Sequence, residues 1–108
     1  MTKSVKVTNA DTAESAKVTW ADSRTGPWHN ITLPPGEFKT VDPIADATMV
    51  KVEAVADQVA ITVENVGTVG LSTRYPDGGD LLPVGASLPY TIAGPYGYVD
   101  VLAQAPAH

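Results

Sequence analysis

The chain has 108 residues, no cysteine and a formal net charge of −5 at pH 7, so its length suits one domain and a disulfide framework or thiolate chemistry is excluded. Its seven Lys and Arg are scattered among twelve Asp and Glu; no basic run is present to track phosphates or to dock on an anionic membrane. Hydrophobic residues at 44% argue against disorder, and only 18% charged residues is few for a freely solvated surface, which suits either a partner-covered domain or a mildly apolar secreted one.

From the N-terminus, Met1 to Val7 shows no apolar leader and no stretch of the chain reaches membrane-span length, so synthesis in the cytoplasm is the expectation. Val5, Val7 and Asn9 alternate with Lys6 and Thr8, the period of a half-buried strand. Ala16, Val18 and Trp20 alternate in the same way, and residues 22–31 read as a long loop. Phe38, Thr40, Met49, Val50 and Val52 continue the pattern between breakers at Pro34, Pro35, Gly36 and Pro43. Met49, Val52, Ala56 and Val59 also share one face of a helix, so this stretch has two readings. Further strands are expected near 59–64, 69–75, 86–92 and 97–103, separated by glycine and proline.

An internal repeat decides between the two readings. Leu33-Pro34-Pro35-Gly36 is answered by Leu82-Pro83-Val84-Gly85, 49 residues on, from 33 to 82. At the same spacing Val50, Val52 and Ala54 fall on Val99, Val101 and Ala103, while Val5 to Asn9 resembles Ile61 to Asn65 at a spacing of 56, from 5 to 61. The segment matching the ambiguous one, Gly94-Pro95-Tyr96-Gly97-Tyr98-Val99, cannot be helical through its Gly and Pro, so both are strands. The expected fold is all-β: an antiparallel sandwich or barrel of about eight strands, made by tandem duplication of a unit of about fifty residues, with pseudo-repeats 1–56 and 57–104 in one domain, 1–108. Asp57-Gln58 becomes the tip of a hairpin joining the copies, and a pseudo-two-fold axis then places residues 97–103 beside 3–9, closing the sheets and bringing the termini together.

Few side chains offer chemistry. His108 is terminal, and His29 shares one loop with Asp22 and Ser23, whereas triad members converge from distant elements. Asp77-Gly78-Gly79-Asp80 could cup a Ca²⁺ but reads better as a hairpin turn. The carboxylates Glu53 and Glu64 lie at outward strand phases and serve solubility, and zinc has no donor set. No enzyme, cofactor or metal is therefore expected. Trp20 belongs to the core, while Trp28, Tyr75, Tyr96 and Tyr98 lie in or beside loops, where flat rings can stack on a sugar, anchor a protein interface, or plug the ends of a sandwich.

The succession Val-Lys-Val-Thr-Asn (5–9), Thr-Leu-Pro-Pro-Gly-Glu (32–37) and Val-Lys-Val-Glu (50–53) resembles small β proteins encoded among the structural genes of tailed bacteriophages. The second copy repeats the scheme at 82–85 and 99–101, with Ala86 in place of the Glu. The resemblance implies a virion component without catalytic residues: a capsid decoration (cement) protein or a fibre accessory, made in the host cytoplasm, attached to the major capsid or another virion protein, and expected as a homotrimer. The other reading is a module that binds a glycan or cell surface through Trp28 and the tyrosines.

Overall fold

A computed structural model of the chain describes residues 3–102, and over that span it is all-β. Ten strands follow in order: β1 (Val5–Asn9), β2 (Ala16–Ala21), β3 (Trp28–Leu33), β4 (Phe38–Val41), β5 (Met49–Ala54), β6 (Gln58–Asn65), β7 (Leu71–Tyr75), β8 (Gly78–Leu82), β9 (Ser87–Ala93) and β10 (Val99–Leu102). They form two antiparallel sheets, ordered β4-β1-β6-β9 and β3-β2-β5-β10-β7-β8, in a sandwich-like arrangement.

Alternation sends one face of each strand into the core. Val5 and Val7, Val59, Ile61 and Val63 from the smaller sheet meet Val18, Val50, Val52, Val99 and Val101 from the larger one. Each such side chain, taken out of water, contributes roughly 1.5–3 kcal/mol of transfer free energy. The segment with two readings is strand β5, with Val50 and Val52 buried and Lys51 and Glu53 on the outer face. Asp100 also lies on that outer face, yet its side chain is buried, held by Arg74 at 2.9 Å and lying 3.9 Å from Lys51.

Strand pairing departs from the expected topology. β5 and β6 lie in different sheets, so 55–57 is a crossover between layers and Asp57-Gln58 is no hairpin tip. Residues 97–103 do not lie beside 3–9: β1 pairs with β4 and β6, whereas β10 pairs with β5 and β7. Both edges of β5 are taken, by β2 and β10, which leaves β6 no place beside it. The sheets are open, with edges at β4, β9, β3 and β8. Ala103 and the termini, whose proximity was expected, lie outside the described residues. Replacing each strand of the first half by the one five places later reverses both sheet orders onto themselves. At the centres of the two middle pairings, Val7 faces Val63 and Lys51 faces Asp100.

Ten strands replace the expected eight because β3 and β8 fall where loops were expected. Both are edge strands with mostly exposed residues, and β8 opens with two glycines, so neither shows inward alternation.

The recurring Asn and Leu-Pro-x-Gly segments form one device, used twice. The amide nitrogen of Asn9 donates to Leu33 O and Glu14 O at 2.9 and 2.8 Å, and that of Asn65 to Leu82 O and Val69 O, both at 2.9 Å. Their oxygens accept from the backbone N–H of Asp11 and Gly67. Gly36 N–H donates to Asn9 O and Gly85 N–H to Asn65 O, both glycines at φ +82°, a left-handed conformation that glycine adopts without penalty. Each buried asparagine thus ties its strand end to the turn that leads into the next edge strand.

Candidate binding groove

At one end of the sandwich, beside the β7–β8 edge, a groove of about 470 Å³ opens between the two sheets. Its walls come from the β7–β8 turn (Tyr75, Asp77), the end of β9 (Tyr90, Ile92) and the turn before β10 (Tyr96, Tyr98). The turn is Tyr75-Pro76-Asp77-Gly78, since Tyr75 pairs with Gly78; Gly78, Gly79 and Asp80 already belong to β8. The expected turn at 77–80 is therefore shifted toward the N-terminus, because Pro76 has no N–H to continue the ladder. Gly79 is required here, as a Cβ would collide with the Thr73 carbonyl oxygen across the strand pair.

Tyr90 links the layers. Its hydroxyl donates to Asp80 Oδ2 at 2.8 Å and accepts from the Thr73 hydroxyl at 2.6 Å, and its ring lies 5.7 Å from that of Tyr75. Burial, together with the neighbouring Asp80 carboxylate, pushes the Tyr90 phenol up to about 12. Tyr75 is raised too, by burial first and then by the negative charge of Asp80 and Asp77. The groove is thus aromatic with a negative rim.

Tyr96 stands apart in exposure, at 88%. The turn that bears it is tight: Gly94 N–H donates to Asp57 O at 2.7 Å and Gly97 N–H to Ala93 O at 2.9 Å. A Cβ would stand 2.7 Å from Ala56 O at Gly94 and closer still to Ala93 O at Gly97. The backbone of this turn therefore has little freedom of its own to lose when Tyr96 docks. Tyr98 is partly covered, with the Lys51 ammonium 5.0 Å from its ring centroid.

Of the residues singled out in the sequence, Tyr75, Tyr96 and Tyr98 come together in this groove. Trp28 does not: it begins β3, at the opposite edge of the six-stranded sheet and the opposite end of the sandwich. Tyr90 was missed, although its inward phase between Leu88 and Ile92 could have been read from β9. Trp20 packs against the core but is only half-buried, its ring 4.6 Å from the Lys39 ammonium. His29 Nε2 lies 2.7 Å from Asp22 Oδ2, while the Ser23 hydroxyl donates to Gly26 O at 2.5 Å, so the three side chains do not form a nucleophile–base relay. Among the described residues, no three His, Asp or Glu side chains gather in a way that could hold a metal ion. The chain matches no protein-family model, no curated protein and no solved structure.

Proposed function

We propose that this protein is a non-enzymatic structural component of a tailed-phage virion, a decoration protein that attaches to the capsid shell and stabilises it, built by duplication of one unit of about fifty residues. The observation that carries the attachment reading is the almost fully exposed Tyr96, borne on a tight turn beside an aromatic groove, the arrangement of an interface anchor. The duplication is supported by the sheet orders and by the two asparagine devices with their matching hydrogen bonds. The virion assignment rests on the sequence resemblance. Many copies bound across neighbouring subunits would stabilise the assembled shell by mass action.

Two measurements test this reading. Capsid, portal or tail genes are expected beside the gene. Shells assembled from the neighbouring capsid gene should co-sediment with the protein, and Tyr96→Ala should weaken attachment about tenfold. Undiminished attachment of Tyr96→Ala, or neighbours unrelated to virions, would overturn it. Light scattering is expected to give three times the 11.3 kDa chain mass, a symmetric assembly suited to a symmetric lattice site.

The second reading, glycan binding, is favoured by the combination of tyrosine faces with the Asp77 carboxylate in one groove. A glycan array separates the two: saturable sugar binding lost in Tyr96→Ala and kept in Trp28→Ala supports the second.

A further inference from the structure

The tyrosine groove has an internal counterpart at the opposite end of the sandwich, and the strand registers fix the correspondence. Lys51 stands opposite Thr19 in β2 and Asp100 opposite Arg74 in β7, so Trp20 corresponds to Tyr75 and Asp22 to Asp77. In the edge pairings His29 lies opposite Trp20, and Gly78 opposite Tyr75. In the smaller sheet Lys39 lies opposite Val7, and Leu88 opposite Val63.

In the first half the chain fills this place with its own side chains. The Lys39 ammonium sits 4.6 Å from the Trp20 centroid, the His29 ring packs 5.6 Å from that of Trp20, and His29 Nε2 meets Asp22 at 2.7 Å. The aromatic ring has a cation and the carboxylate has an imidazole, which leaves a space of about 210 Å³. In the second half Gly78 and Leu88 stand at the matching register positions, and the groove at that end, walled also by the 96–99 turn, measures about 470 Å³. Among the described residues, neither Asp77 nor Asp80 has an ion-pair partner, and no ammonium or guanidinium lies over Tyr75, Tyr90 or Tyr96.

We propose that the tyrosine groove receives a cationic side chain, arginine or lysine, from a partner protein, with the charge over the Tyr75 and Tyr96 rings and next to Asp77. The ligand supplies what Lys39 and His29 supply in the other half. Ring faces attract a cation through their quadrupole, and the attraction strengthens as water is excluded. The negative rim repels an anionic ligand, and the exposed Tyr96 extends the contact beyond the groove to the surface around the inserted side chain. The inference rests on the attachment reading above and adds the partner's chemistry.

The test is an amide NMR titration of the full chain at low salt with N-acetyl-arginine N-methylamide and with its neutral near-isostere, the citrulline derivative. Saturable shifts confined to residues 75–78, 90–93 and 96–99 are expected, with citrulline weaker by about fivefold or more. Asp77→Asn, in a solvent-facing turn, should weaken the arginine probe about threefold, and Trp28→Ala should leave it unchanged. Leu88→Lys, which supplies the ammonium internally, should block the probe. Equal binding of citrulline, shifts outside these segments, or no saturable shift overturns the proposal. Arginine binding together with Tyr96-independent attachment to shells would sink the attachment reading alone; Tyr96-dependent attachment with no preference for arginine would sink only the cation.

Discussion

Asn65→Ala probes the device that holds each strand end to its turn. The side chain is 1% exposed and makes three hydrogen bonds, to Val69 O, Leu82 O and Gly67 N–H. Alanine removes all three: the buried Gly67 N–H loses its partner at about 1–3 kcal/mol, and the Leu82 carbonyl, which also faces Leu71 in the β7–β8 ladder, loses a bond worth about 1 kcal/mol. Adding a smaller term for the part-buried Val69 carbonyl gives a loss of about 4 kcal/mol, a large share of the roughly 5–15 kcal/mol expected for a domain of this size. Urea unfolding followed by Trp20 and Trp28 fluorescence should show the midpoint falling by roughly 1.5–4 M, depending on the slope. Asn9→Ala should cost the same within about 1 kcal/mol, because its bonds to Glu14, Leu33 and Asp11 repeat the set. A loss below about 1 kcal/mol in both variants would refute the reasoning, and a large loss in only one would refute the equivalence of the two sites.

Gly97→Ala should cost about 3 kcal/mol because its Cβ meets the Ala93 carbonyl, whereas Gly85→Ala, with open space around it, should cost only the left-handed penalty of about 1 kcal/mol; thermal melts that reverse this order would contradict the turn geometry. Alkaline absorbance titration should show one tyrosine ionising near 12, absent in Tyr90→Phe. Because the folded value lies above the unfolded value of about 10, the linked stability is full below pH about 10 and is lost as pH rises through the folded value. The Asp11 carboxylate accepts N–H groups of Ala13, Glu14 and Ala60, which lower its pKa. Its contribution is therefore present above pH about 4 and lost as pH falls through the folded value, so acid unfolding of Asp11→Asn should show a shallower decline over that range.

Local pattern settled much about this protein. Two-residue alternation marked the buried strands and, with the repeat, excluded a helix at 49–59, because which face of a strand is apolar is written in consecutive residues. The Asn and Leu-Pro-x-Gly segments could be recognised as recurring motifs because each is a short run that returns later in the chain, although the hydrogen bonds that join asparagine to turn are tertiary. The tyrosines near loops could be singled out for the same local reason. Neighbour choice could not be read in this way. Alternation says that Val5 and Val101 face a core, but not that β1 lies beside β6 and β10 beside β5, since any apolar face can cover any other. The edge strands β3 and β8 were invisible because a strand with one open side needs little inward pattern. Tertiary structure alone brought Tyr90 and Asp80 to the tyrosines and sent Trp28 to the far edge. It is also the pairing register that sets Gly78 and Leu88 at the positions matching His29 and Lys39, a correspondence that no local pattern shows.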